Sequence, residues 1–179
     1  ARTPSRCSFE IAPPGYAGTL PGRVFAVRHA TPTLLVIEDA KDQAVLVGLA
    51  ACRSHPGLLV RTVHDGYDGV AYLAGVPPFE DRREHPLPDL VILDLFMPEV
   101  DGFAVLKWIG KRPELEGIPV VVLTSSGNPD DESRARWLGA DRVYRKPANL
   151  AELGNTVKEI VGAYISRSAM MDAHFESLG

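Results

Sequence analysis

The sequence predicts an α/β fold: five βα units in succession, forming a central five-stranded parallel sheet with helices on both faces. Three observations predict it. Short runs of branched apolar residues, Leu34–Ile37 (LLVI), Leu90–Leu93 (LVIL) and Pro119–Leu123 (PVVVL), read as strands buried on both faces. Between such runs, apolar residues recur at helical spacing, and strands alternating with helices imply a parallel sheet covered on each side. With 179 residues, 45% hydrophobic and 23% charged, the chain suits one domain plus extensions and can bury a useful core.

Residues 1–30 are punctuated by Pro4, Pro13, Pro14, Gly15, Gly18, Pro21 and Gly22, which discourages long helices and strands. Val24–Val27 (VFAV) is the one short strand candidate there. We expect an irregular N-terminal extension over 1–32, the α/β domain over 33–167 and a C-terminal tail over 168–179, frayed from Met170. After the first strand, Val45, Leu46, Leu49, Ala50 and Cys52 mark a helix stopped by His55-Pro56-Gly57. Leu58–Val63 is the second strand and Gly66–Leu73 a short helix. Residues 75–89 are proline-rich, and their charged run Asp81-Arg82-Arg83-Glu84 reads as a solvated loop. The third strand, Leu90–Leu93, leads through Met97-Pro98 and Asp101-Gly102 to a helix carrying Val105, Leu106 and Ile109. The fourth strand is followed by Thr124-Ser125-Ser126 and a polar helix over Asp130–Leu138, stopped by Gly139. Arg142–Arg145 is a weak fifth strand. The last helix carries one apolar stripe, Leu150, Leu153, Val157, Ile160, Val161 and Tyr164, and Asn149 with Glu152 resembles a capping box at its start.

The formal net charge of -4 and pI near 5.7 argue against a surface built to hold nucleic-acid phosphates. Cys7 and Cys52 lie far apart with no CxxC pair, so neither a disulfide framework nor a zinc site is expected. Cys7 reads as a free thiol and Cys52 as a small core residue, which fits a reducing, cytoplasmic setting. No apolar run approaches the ~20 residues of a membrane span, and the first residues lack a secretory apolar stretch. The five histidines, His29, His55, His64, His85 and His174, are scattered.

In a parallel sheet of this kind, ligands bind beyond the carboxyl ends of the strands. Those ends carry Glu38-Asp39, His64-Asp65-Gly66, Asp94, Thr124 and Lys146. Clustered carboxylates repel one another, a hard divalent cation relieves that repulsion, and an all-oxygen donor set favours Mg²⁺. A carboxylate beside the metal can attack phosphorus, while Lys146 and the Thr124 hydroxyl can neutralise charge on the equatorial oxygens. Each piece alone has a bland reading: Asp39 or Asp101 as a helix cap, Thr124 as structural, Lys146-Pro147 as a turn. The ordered set, each member at a strand end, is what points to phosphoryl chemistry.

The motifs LLVIEDAKD, PDLVILDLFMPEVDG, IPVVVLTSS and GADRVYRKP resemble those of the receiver domain of two-component response regulators, a (βα)5 flavodoxin-like fold. The resemblance runs from about Thr33 to about Arg167, and the long loop before the third strand is similar to stand-alone receivers associated with phytochromes. It implies Asp94 as the phosphorylated residue. It implies Mg²⁺ held by Asp39, Asp94 and the backbone carbonyl of Phe96, with Glu38 acting mainly through water. Thr124 would bond a phosphoryl oxygen and shift on activation, Lys146 would pair with Asp94 and then with the phosphoryl group, and Lys146-Pro147 would be cis.

One departure concerns the switch. The family usually has an aromatic residue three positions before the lysine; here that position is Val143 and the aromatic is Tyr144. Successive strand residues face opposite sides, so we expect Tyr144 outside the usual pocket and an altered coupling to Thr124. The resemblance implies a phosphoacceptor module rather than an enzyme. A sensor histidine kinase or histidine phosphotransfer protein would be the donor and a downstream protein the output, with a homodimer as an option. No helix-turn-helix fits in the residues after the last helix, so direct DNA binding is not expected. The competing reading, an aspartate-nucleophile phosphatase of the haloacid dehalogenase type, needs an acid two residues after its nucleophile, where this chain has Phe96. A pseudo-receiver would lack part of the acid, hydroxyl and lysine set.

Overall fold

The computed structural model describes residues 9–11 and 31–176, with side chains over 31–165. The elements run β1 (Phe9–Ile11), β2 (Thr33–Ile37), α1 (Lys41–Ser54), β3 (Leu59–Val63), α2 (Gly66–Ala74), β4 (Leu90–Leu93) and α3 (Gly102–Ile109). A 3-10 turn (Pro113–Leu115), β5 (Val120–Thr124), α4 (Pro129–Trp137), β6 (Arg142–Arg145) and α5 (Leu150–Glu176) follow. All pairings are parallel and the sheet order is β1-β3-β2-β4-β5-β6. The five expected strands are β2 to β6. β2 is hydrogen-bonded to β3 on one side and β4 on the other, so the strand order reverses there and opens a crevice above its carboxyl end.

The alternation of strand residues divides the core in two. Leu35, Ile37, Val91, Leu93 and Val122 pack with Tyr72, Phe79, Phe103 and Leu106 on the face covered by α2, α3 and α4. Leu34, Val36, Leu90, Ile92, Val121 and Leu123 pack with Val47 of α1 and Val157, Ile160 and Val161 of α5 on the other. Every residue of β2, β4 and β5 is buried, which is why these segments read as unbroken apolar runs. The ends are capped as the sequence suggests: Asp65, Asp101 and Asn128 accept from Asp68, Ala104 and Asp130 amides, and Asn149 Oδ1 accepts from the Glu152 amide at 2.8 Å.

Four expectations need correcting. The N-terminal extension is not wholly irregular: Phe9–Ile11 adds a sixth strand beside β3, because that strand would otherwise present an open edge. The Val24–Val27 candidate and Cys7 lie outside the described residues. Cys52 is disulfide-bonded rather than simply a core thiol, which removes the argument from cysteines to a reducing compartment. The last helix does not end before the expected tail at 168; α5 continues to Glu176, since Ser166–Glu176 contains no proline or glycine to stop it. The loop before β4 is not merely solvated. Phe79 is fully buried, and the Arg82 guanidinium donates to the carbonyls of Tyr72, Leu73 and His85, satisfying the open C-terminal end of α2. Among the described residues no helix is long and apolar enough to cross a membrane.

Candidate functional site

The crevice at the end of β2 gathers the predicted residues. Glu38 and Asp39 follow β2, Asp94 follows β4, Thr124 ends β5 and Lys146 follows β6. Parallel register carries them to one edge: Ile37 lies opposite Leu93, Leu93 opposite Val122, and Thr124 opposite Arg145. Two backbone bonds hold the acids, from the Glu38 amide to the Val63 carbonyl (3.1 Å) and from the Asp94 amide to the Ile37 carbonyl (3.0 Å). Helix α3 begins against the acceptor segment. A Cβ on Gly102 would stand 2.2 Å from the Asp94 carbonyl oxygen, so this position admits only glycine.

Asp94 is 5% exposed and Glu38 3%. Lys146 Nζ donates to Asp94 Oδ2 at 2.8 Å and lies 2.6 Å from Glu38 Oε2. The other Asp94 oxygen accepts the Leu95 amide at 2.7 Å. The pairing of Lys146 with Asp94 matches expectation; its equal hold on Glu38 was not foreseen, because sequence order does not reveal which of two acids a flexible ammonium will span. Burial pushes the Glu38 carboxyl up, Lys146 opposes this, and the neighbouring Asp94 charge adds to it. Ligand atoms of Glu38, Asp39 and Asp94 all lie within 4.8 Å of one another. Three carboxylates against one ammonium leave two negative charges when all are ionised, so the donor set fits one hard divalent cation.

Thr124 is buried, its hydroxyl oxygen accepts the Ser126 amide at 3.2 Å, and its carbonyl accepts the Lys146 amide at 2.7 Å. The Lys146-Pro147 peptide is not cis; among the described residues the cis bond is Pro77-Pro78. The two isomers differ little in energy before proline, and Lys146 reaches both acids from the trans form. Phe96 is 50% exposed, its ring edge-on to Phe103. Val143 packs against the α2–α3–α4 cluster, whereas Tyr144 packs on the α1–α5 side and its hydroxyl donates to Glu159 of α5 at 2.9 Å. Tyr144 therefore lies across the sheet from Val143, as strand alternation requires. His64, read from the sequence only as one of five scattered histidines, has its Nδ1 3.2 Å from the Glu38 carbonyl oxygen. Ser126 was read only as part of the Thr124-Ser125-Ser126 run. Its hydroxyl donates to Asp131 of α4 at 2.6 Å.

Residues 34–158 match the family model of the response regulator receiver domain. The chain belongs to that family. It is 34% identical over 97 residues to the polar-differentiation response regulator DivK of Brucella ovis, covering 54% of this chain and 78% of that one. Its fold matches the phosphorylated cyanobacterial phytochrome response regulator RcpA, with TM-score 0.72 and 36% identity over 77% of this chain and 96% of that one. The Mn²⁺-bound form of response regulator Rcp1 matches with TM-score 0.67 and 34% identity, over 73% and 92%. Receiver domains are phosphoacceptor modules of two-component signalling rather than enzymes in the ordinary sense, and they work with a histidine kinase or phosphotransfer partner. Their Mg²⁺ sits in an acidic pocket, and the cluster of Glu38, Asp39 and Asp94 is consistent with one.

Proposed function

We propose that residues 33–167 form a receiver unit that accepts a phosphoryl group on Asp94 from a phosphohistidine partner, in a Mg²⁺-dependent reaction, and signals through protein contact. The observation that carries this reading is a buried Asp94 carboxylate bonded to Lys146 inside a three-carboxylate cluster at the strand-order reversal. In the transfer, an Asp94 oxygen attacks phosphorus, the P–N bond breaks, and the imidazole leaves on the partner. Mg²⁺ held by Asp39, Asp94 and the Phe96 carbonyl, with Glu38 acting through water, would supply the positive charge that draws the phosphoryl oxygens in. Lys146 moves its ammonium from the two acids to a phosphoryl oxygen, and the Thr124 hydroxyl donates to another. Trp137 supports an output by protein contact. It is 84% exposed at the end of α4, beside Lys107, Lys111 and Arg134, and large exposed aromatics are characteristic of interfaces.

The test is intact mass after incubation with acetyl phosphate and Mg²⁺. The expected result is a gain of one phosphoryl group, lost in Asp94→Asn and without Mg²⁺. A gain that survives Asp94→Asn would move the acceptor elsewhere.

A further inference from the structure

Helix α4 is held to the rest of the fold by little. Of its nine residues only Ala135 is buried, and the Glu132–Arg136 ion pair is internal to the helix. Arg134 lies over the Phe103 ring of α3 at 4.0 Å. A further tie runs to the strand-end site. The Ser126 amide donates to Thr124 Oγ1 (3.2 Å), the Ser126 hydroxyl donates to Asp131 Oδ2 (2.6 Å), and the Asn128 amide donates to Ser126 Oγ (3.1 Å). Asp131 lies in the first turn of α4, and Asn128 is its cap.

We infer that Ser126 and Asp131 are positioning residues that couple the state of Asp94 to α4, through the chain Thr124–Ser126–Asp131, in place of an aromatic at position 143. The inference rests on the reading of Asp94 as acceptor. The bond from Ser126 uses an oxygen lone pair of Thr124 and leaves the Thr124 proton to be donated. A phosphoryl group on Asp94 brings strong acceptors to that edge, and Thr124 can turn to them while still holding the Ser126 amide. Movement of Thr124 then drags Ser126, whose charge-assisted bond to Asp131 is stronger than a neutral one and pulls the first turn of α4. An aromatic relay is unavailable, since Val143 is small and Tyr144 is bonded to Glu159 across the sheet. A helix with one buried residue yields at small cost.

The experiment is nuclear magnetic resonance of the full chain, comparing amide shifts before and after adding Mg²⁺ with beryllium fluoride as the phosphoryl analogue. In the wild type, the Leu95 and Phe96 amides and the amides of Asp130–Trp137 are expected to shift. In Ser126→Ala and Asp131→Asn, Leu95 and Phe96 should shift as before while the α4 response falls at least about threefold. Ser126→Thr, which keeps a hydroxyl, should restore it, and Tyr144→Phe should leave it unchanged. Variants that retain the full α4 response overturn the inference alone. A wild type whose Leu95 and Phe96 amides do not move overturns the acceptor reading and this inference with it.

Discussion

Tyr72 shows how one side chain can tie a long loop to a helix. Its ring is fully buried against Phe79 and His85, and its hydroxyl donates to the Pro86 carbonyl at 2.9 Å. Burial pushes its ionisation well above the ordinary tyrosine range. A group with a raised folded-state pKa stabilises fully below its unfolded pKa, and that stability is lost as pH climbs from the unfolded value toward the folded one. For a tyrosine the loss begins near pH ~10, at about 1.4 kcal/mol per pH unit. Tyr72→Phe should therefore cost ~1 kcal/mol at neutral pH through the lost hydrogen bond. By pH ~11 the difference from wild type should shrink to about zero, since the variant has no proton to lose. Urea unfolding of both proteins at the two pH values checks this. A gap that is constant with pH would mean the hydroxyl is solvated rather than buried.

At the scale of elements, what the sequence made legible depended on how completely an element is buried. β2, β4 and β5 are buried along their whole length, and their bounds match the sequence reading to within a residue or so. The strand-end residues followed from them, because a parallel sheet brings its carboxyl ends together: Glu38, Asp39, Asp94, Thr124 and Lys146 were all readable. β1 was not, since three residues among prolines carry no periodicity and pair only because β3 offers an edge. The end of α5 was missed because nothing but the absence of a stop signal marks it. Arg82 was missed because a charged residue in a charged run gives no sign that helix carbonyls await it. The isomer before Pro147 depends on a small energy difference decided by tertiary contacts. Helix α4 is the opposite case, recognised from its polar run and the Gly139 stop rather than an apolar stripe. With Ala135 as its one buried residue, its amides should exchange with solvent faster than those of α5 over Leu153–Ile165, where Val157, Ile160 and Val161 are buried. Hydrogen exchange measured by residue tests this, and equal protection in the two helices would show that α4 is anchored by more than the contacts described.

For the whole molecule, the site is a stability cost that a cation should lift. Glu38, Asp39 and Asp94 stand together at one crevice, and Lys146 is shared by Glu38 and Asp94 with no ion pair to Asp39 among the described residues. Like carboxylates this close raise the energy of the folded state. Asp39→Asn should therefore stabilise the metal-free protein modestly, even though it removes a side chain from the site. Mg²⁺ should favour the wild type over this variant. At tenfold its dissociation constant, a ligand bound only by the folded state adds about 1.4 kcal/mol, worth on the order of 4 °C for a chain of this size. Wild type should gain that increment in calorimetric melting, and Asp39→Asn and Asp94→Asn should gain little of it. The order of stability would then invert with the metal: Asp39→Asn above wild type without Mg²⁺, below it with Mg²⁺. Equal Mg²⁺ increments in all three proteins would place the cation outside the carboxylate cluster of Glu38, Asp39 and Asp94.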